Sequence, residues 1–369
     1  VKGQVEAVFV AWRDLRFAKG RFALMGTVIV LITLLVGLLS GLTAGLGRQN
    51  VSAITGLPAD RIAFGAPGRG GHLSYADSTV TARQWQQWAR TPGVRGAEPL
   101  GITTTKASAR KDRSAGVSAF GVRPGSALAP DSDKIDDRTA VLSASAADDL
   151  GVTAGDTLTL AGQKVTVAAV TGDAFFSHTP VIWTSLDTWR RTAPPAGPAG
   201  APAATVIALR TSGADLRAAD EAAGTKTVSK DDSLSAIGSY SSENGSLQLM
   251  RGFLFAISAL VIGAFFTVWT IQRSGDVAVL KALGASTAGL LRDALGQAVA
   301  LLACDTVIGT GIAVGVGALV SGSAVPFVLS PGTVLAPAAV MIALGALGAA
   351  LSVRRVTSVD PLTALGSAR

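Results

Sequence analysis

The sequence predicts an α-helical membrane protein in which four transmembrane helices carry a large mixed α/β extracytoplasmic domain between helices 1 and 2. Three observations lead there. Hydrophobic residues make up 49% of the 369 positions and charged residues only 15%, too apolar a balance for an ordinary soluble domain. The apolar residues gather in long uncharged runs towards the two ends of the chain, while the middle is rich in Asp, Arg, Ser, Thr and Pro. Lys and Arg flank these runs on alternate sides, so the net charge of +7 reads as membrane topology and not as a nucleic-acid surface.

Residues 1–21 read as a basic amphipathic helix on the cytoplasmic membrane surface, with Trp12 and Phe17 available to the interface. Residues 22–47 contain no charge; at about 1.5 Å per residue such a run crosses a hydrocarbon core of about 30 Å. A cleaved signal peptide is the competing reading. The run is long for one, and no small-x-small cleavage site ends it, so an uncleaved anchor is expected. Residues 48–250 form the extracytoplasmic domain, and residues 251–272, aromatic-rich and closed by Arg273, form the second span. A cytoplasmic segment (273–293) leads to a third span (294–325), a short outer loop (326–333), a fourth span (334–353) and a cytoplasmic tail (354–369). Gly and Ala fill the last two spans and let helices pack closely in lipid.

Orientation follows from the short segments. Lys2, Arg13, Arg16, Lys19 and Arg21 precede span one, Arg273, Lys281 and Arg292 separate spans two and three, and Arg354, Arg355 and Arg369 follow span four. All three segments are therefore expected in the cytoplasm, as in a multi-pass protein of a bacterial cell membrane. Within the outer domain, residues 60–64 and 118–122 read as strands and residues 81–90 as a short helix bearing Trp85 and Trp88. Alternation around Gly-containing turns over residues 139–183 predicts a small β-barrel or sandwich, and the Ala-Pro-Gly text of residues 192–204 an exposed loop. The single Cys304 excludes an intramolecular disulfide, so the domain must rest on its own core.

Several chemistries are excluded. No Gly-x-x-x-x-Gly-Lys-Ser/Thr occurs, and Gly68-Arg-Gly-Gly71 lacks the lysine and hydroxyl that hold phosphate and magnesium, so the chain does not itself hydrolyse ATP. His72 and His178 are the only histidines, too few for a multi-histidine metal site in one chain. No nucleophile-elbow sequence supports a hydrolase using Ser and His178. His178, before Thr179-Pro180, is expected to make a structural hydrogen bond. Asp305 is the acid inside the third span; such groups face a bundle interior, a water pocket or a partner, or are protonated and bonded to Thr306 or a carbonyl.

The segment Ile271-Gln-Arg-Ser-Gly-Asp-Val-Ala-Val-Leu-Lys-Ala-Leu-Gly-Ala-Ser286, a short amphipathic helix ended by Gly284, resembles the coupling segment of FtsX/MacB-like ABC transporter permeases. Leu290-Leu-Arg-Asp-Ala-Leu-Gly-Gln297 and the tail Val356-Thr-Ser-Val-Asp-Pro-Leu-Thr-Ala-Leu365 are similar to that family too. A finer resemblance, to the DevC/HrtB branch that includes haem exporter permeases, rests on Arg21-Phe-Ala-Leu, Ser40-Gly-Leu-Thr-Ala-Gly-Leu, Ser177-His-Thr-Pro-Val-Ile-Trp183 and Tyr240-Ser-Ser-Glu243. The resemblance implies a non-catalytic permease subunit that pairs with itself as a homodimer and binds two copies of a separate ABC ATPase carrying the ATP and magnesium. The cargo it implies is a hydrophobic substrate, haem first, with glycolipid, lipophilic drug or peptide as alternatives. FtsX-like regulation of a cell-wall hydrolase is a further reading, which requires an exposed apolar docking patch such as Trp85 and Trp88. Coupling to the ATPase is expected through Asp276, Val277, Val279, Leu280, Lys281, Leu283, Gly284 and Ser286. Haem takes an apolar slot and axial ligands from His, Met, Cys, Tyr or carboxylate, which makes Tyr240, Glu243, Met250, Arg251 and Met25 the candidates; Glu243 is alternatively solvated or paired with Arg251.

Overall fold

The computed structural model describes residues 19–68, 70–109, 113–192, 203–272, 275, 279, 283–284, 286–320 and 325–357. Along the chain run α1 (Lys19–Thr55), β1 (Arg61–Gly65), α2 (Ala82–Ala89), β2 (Val94–Ser108), β3 (Ser114–Val122), β4 (Thr139–Leu142) and α3 (Ala144–Leu150). There follow β5 (Thr157–Leu160), β6 (Gln163–Val170), β7 (Phe175–Phe176), β8 (Thr179–Ser185), α4 (Leu186–Thr192), β9 (Val206–Thr211), α5 (Leu216–Ala223) and β10 (Thr225–Ser229). Three long helices come last among the described residues: α6 (Gly238–Gln272), α7 (Thr287–Val320) and α8 (Pro331–Thr357). The chain divides into two compact units, residues 46–245 and residues 1–45 with 246–369.

In the helical unit, α1, α6, α7 and α8 each contain a stretch long and apolar enough to cross a membrane: Ala23–Thr55, Gly238–Gln272, Ala294–Val320 and Pro331–Ser352. This is the four-helix membrane architecture read from the hydropathy pattern, and the chain is membrane-bound. Met25, Ile29, Ile262, Phe266, Leu302 and Met341 form its buried core. Backbones approach through glycine: a Cβ at Gly309 would lie 2.7 Å from the Val30 carbonyl oxygen, and one at Gly345 2.7 Å from Leu302. Phe327 fills a notch cut by Gly41 and Gly317, where added Cβ atoms would come within 2.3 Å and 2.4 Å of its ring. The Val328 N–H donates to the Gly41 carbonyl at 3.1 Å and fixes this loop on α1.

In the other unit ten strands form one mixed sheet, nine of them in the order β10-β1-β9-β2-β3-β8-β4-β6-β5 and β7 paired with β8 off this path. The far end returns to the middle, because Ala107 and Ser108 of β2 pair with Leu160 and Thr159 of β5. Strands β2, β3, β8, β4, β6 and β5 thus close a ring, the barrel anticipated over residues 139–183, completed by the long β2 and its neighbour β3. Successive residues of a strand point to opposite faces, and the core divides accordingly. Ala63, Ala119 and Ile207 join Trp88, Leu142 and Leu158 in one cluster, while Phe64, Phe120, Val206 and Ala208 join Ile54, Tyr75 and Trp183 in the other. Edge-to-face contacts link Phe64, Tyr75, Phe176, Phe120 and Trp183 in series at 4.8 to 5.6 Å.

The helix expected over residues 81–90 is α2, begun by a capping box in which Thr81 and Gln84 bond each other's backbone N–H. Its tryptophans are structural. Trp88 is fully buried and donates to the Thr225 hydroxyl at 3.0 Å. Trp85 donates to the Ala97 carbonyl at 2.8 Å, with the Arg123 guanidinium 5.1 Å above its ring. They do not form the exposed docking patch that a hydrolase-regulating domain requires; Val170 is the one large aliphatic side chain left exposed on this unit among the described residues. The Ala-Pro-rich loop lies mostly outside the described residues, as does the basic segment before Lys19.

Candidate functional site

Two of the long helices, α1 and α6, outrun the bilayer and continue into the α/β unit. The 37 residues of α1 and 35 of α6 each span more than 50 Å at about 1.5 Å per residue, against about 30 Å of hydrocarbon. The surplus of α1, from Leu46, and the first turns of α6, to Gly245, belong to the α/β unit. Inside that unit they meet at one turn of the sheet.

The turn is Ser177-His178, the two-residue connection of the β7–β8 hairpin, in which Phe176 pairs with Thr179. Both residues have positive φ, 50° and 63°. Two successive positive values are what a tight hairpin of right-handed twist demands, and Asn-Gly is the usual solution. Serine and histidine in that conformation cost about 1 to 2 kcal/mol each, so the surroundings must hold them there. They do so first through the backbone: Ser177 N–H donates to the Asn50 carbonyl at 2.9 Å and His178 N–H to that of Gln49 at 3.0 Å. Nearby, the Phe175 N–H donates to the Ser52 hydroxyl at 2.9 Å.

The side chains then connect α1 with α6. The Ser177 and Ser239 hydroxyls lie 2.8 Å apart, and Ser239 donates to the Asn50 amide oxygen in a short bond. That bond fixes the Asn50 amide, whose nitrogen faces Glu243 Oε2 at 3.3 Å and His178 Nε2 at 3.0 Å. His178 Nε2 and Glu243 Oε2 are 2.8 Å apart. Two acceptors cannot stand so close without a proton between them; in the tautomer that carries it on Nε2, this N–H donates to the carboxylate and the Asn50 amide donates to the same oxygen and not to the ring. Glu243 Oε2 thereby takes two donors, and Oε1 has no hydrogen-bond partner among the described residues. The carboxylate side chain is 43% exposed and the imidazole 30%.

Tyr240 lies three residues before Glu243 on α6, hence on the same helical face. Its ring is half-buried against the cluster of Phe64, Phe120 and Trp183. Lys230 closes the other side of the region by donating to the Thr55 and Leu57 carbonyls at 2.8 and 2.9 Å, which caps the C-terminus of α1.

The remaining candidates stand elsewhere. Glu243 does not pair with Arg251; its partners are His178 and Asn50. Met250 is exposed, as are Leu249 and Phe253 beside it. Met25 is buried in the helix core against Ile29 and Phe266, a packing position. Asp305 faces Gly26, where a Cβ would come within 3.1 Å of both carboxylate oxygens. Among the described residues its Oδ2 and the Thr306 hydroxyl are buried without hydrogen-bond partners, so the bond to Thr306, one of the alternatives read from the sequence, is not made. Of the coupling segment, Asp276, Val277, Leu280 and Lys281 lie outside the described residues. Val279 and Leu283 are exposed, the Leu283 N–H donates to the Val279 carbonyl at 3.0 Å, and Gly284 follows with φ 93°, the left-handed geometry that ends a helix. Ser286 caps α7, accepting from the Gly289 N–H at 3.1 Å.

Sequence reasoning assigned His178 a structural hydrogen bond without naming its partner, and passed over Asn50 and Ser239. Those partners lie 128 and 65 residues from His178 in the cases of Asn50 and Glu243, beyond any local pattern. The signal that was present is two polar non-glycine residues at a hairpin turn between Phe-Phe and Thr-Pro-Val-Ile-Trp.

Residues 22–226 match the MacB-like periplasmic core domain family, and residues 249–361 the FtsX-like permease C-terminal family. A Staphylococcus haemolyticus protein named HrtB, provisionally a hemin transport system permease, is 25% identical over 360 residues, covering 97% of this chain and 99% of that one. An uncharacterized ABC transporter permease of Mycobacterium tuberculosis is 27% identical over 377 residues with the same coverage. Among solved structures, the periplasmic region of MacB from Actinobacillus actinomycetemcomitans aligns at 12% identity and a TM-score of 0.37, covering 49% of this chain and 94% of that one.

Proposed function

Since the chain belongs to the MacB-like periplasmic core domain family, with an FtsX-like permease C-terminal region, we propose that it is the membrane subunit of an ATP-driven exporter whose substrate is haem. ABC permeases are transporter subunits and not catalytic enzymes, and they work with a separate ATPase. In this reading the α/β domain (48–250) lies outside the cytoplasm and both termini inside, as the Lys and Arg distribution favours. The chain acts as a homodimer with two ATPase copies, whose closure on ATP is received by the segment from Asp276 to Ser286.

The observation that carries the substrate is the Tyr240 and Glu243 pair. A phenol and a carboxylate are both competent axial ligands for ferric haem. Here they share one helical face next to an aromatic cluster, and the carboxylate keeps Oε1 unengaged. Haem, flat and apolar with an open axial position, matches that combination better than an aliphatic lipid, which has no atom for an anionic ligand to hold. The name of the staphylococcal relative points the same way. Met250, exposed, and Arg251 follow on the same helix and are carried as further candidates from the sequence.

The test is a hemin titration of the detergent-solubilised chain, followed by absorbance, for wild type, Tyr240→Ala and Glu243→Ala. Saturable binding near one hemin per chain or per dimer, weakened about tenfold by either substitution, is the expected result. Absence of saturable binding transfers the assignment to glycolipid or lipophilic drug export.

A further inference from the structure

We infer that His178 is the positioning residue for Glu243, holding one carboxylate oxygen so that the other is presented to the ligand, an inference that rests on Glu243 being a substrate contact. Three features converge on it. His178 Nε2 stands 2.8 Å from Glu243 Oε2, and the Asn50 amide nitrogen 3.3 Å from the same atom. Both donors therefore engage one oxygen, and Oε1 is left without a partner among the described residues. A carboxylate merely sharing a surface network would be free to rotate about its last torsion and expose either oxygen; two donors on Oε2 select one orientation.

The second feature is the conformation of the turn. The two-residue hairpin demands positive φ at both positions, which fixes the direction in which the His178 side chain leaves the turn. His178 sits there at φ 63° and Ser177 at φ 50°. The third is that the turn is bolted to α1 by main-chain bonds to Gln49 and Asn50, so the imidazole is held by the rigid end of a helix and the barrel together. The turn is held from α1 through these main-chain bonds and from the start of α6 through the Ser177 and Ser239 hydroxyls.

The test is a double-mutant cycle on hemin affinity in the full chain, with His178→Ala, His178→Gln, Glu243→Ala and His178→Ala/Glu243→Ala. Because histidine acts through Glu243, His178→Ala should weaken binding about tenfold, His178→Gln, which keeps a side-chain N–H, should return most of it, and the double variant should bind no worse than Glu243→Ala. Additive losses, or a His178→Ala chain that binds as wild type, overturn the inference. A readout without hemin separates this from the substrate assignment. His72 and His178 are the only histidines, so 15N-histidine labelling gives two ring systems. Glu243→Ala should shift the ring signals of His178 and leave those of His72 in place. If Glu243→Ala leaves hemin binding intact but moves the His178 signals, the substrate site fails while the contact stands. Unmoved His178 signals overturn the positioning role whatever hemin does.

Discussion

Gly121→Ala should unfold the α/β domain at a markedly lower temperature, whereas Gly116→Ala on the same strand should not. Gly101 of β2 and Gly121 of β3 are directly paired across the sheet and make a bare floor for the indole of Trp189 on α4. A Cβ at Gly121 would lie 2.4 Å from the Trp189 Cβ, and one at Gly101 2.3 Å from the indole ring. Ordinary contact begins near 3.4 Å, so α4 must lift by about 1 Å, and overpacking of this kind costs about 1 to 3 kcal/mol. The lift also strains the bond from the Trp189 ring N–H to the Thr103 hydroxyl, now 2.9 Å, worth about 1 kcal/mol. Together these give about 2 to 4 kcal/mol, which for a unit of this size is a fall of roughly 4 to 16 °C in Tm. At Gly116 an added Cβ meets only a Thr179 methyl at 3.9 Å, so alanine there should be neutral or slightly stabilising. The assay is thermal unfolding of the full chain in detergent, followed by tryptophan fluorescence. A Gly121→Ala chain melting within about 1 °C of wild type would refute the packing argument. The consequence reaches the site, because α4 and β3 brace β8, the strand that leaves the His178 turn.

Further outcomes follow from other contacts. In the bundle, a Cβ at Gly45 would fall 1.9 Å from the Pro326 carbonyl oxygen, while Gly47 has open space. Gly45→Ala should therefore displace the loop that seats Phe327 and lower the melting temperature, and Gly47→Ala should leave it unchanged or raise it, as alanine favours helix by up to about 1 kcal/mol. Lys230→Met uncaps the end of α1 and should cost about 1 kcal/mol in chemical unfolding, with a smaller effect at high salt. The Thr171 hydroxyl, and then Lys134, hold the Asp131 carboxyl below its ordinary range. A depressed carboxylate stabilises above its unfolded value and loses that contribution as pH falls through the folded one, so Asp131→Asn, which also tolerates the φ of 46° at this position, should flatten the acid limb of stability against pH. Burial pushes the Tyr75 phenol up, against the opposing bond with Ser233, so its ionisation in an alkaline absorbance titration should coincide with unfolding.

The spans and the polar middle were legible because lipid and water impose opposite compositions, and a run such as residues 22–47 has no other economical reading. The hairpin of β5 and β6 was legible from alternation around Gly162. Ring closure was not: it depends on β2 meeting β5, a pairing between residues 107 and 160 set by the long reach of β2 and by no local signal. Trp85 and Trp88 illustrate the same limit, since exposure at a helix surface is decided by what covers it, here Ala97, Thr225 and Arg123. At the site, Tyr240 and Glu243 were singled out by resemblance and by their place at the start of a span. Of the alternatives for Glu243, solvation or a pair with Arg251 eight residues on, the pair is not made; the partner is His178, which the hairpin brings from 65 residues away and no local pattern announces.

The most direct test of the whole account is the response to hemin of ATP hydrolysis by the chain purified together with its ATPase. The account predicts that hemin stimulates hydrolysis saturably in the wild-type complex and that Glu243→Ala abolishes the stimulation while leaving basal hydrolysis intact. Hydrolysis indifferent to hemin up to membrane-saturating amounts, with the two subunits intact and associated, would contradict it.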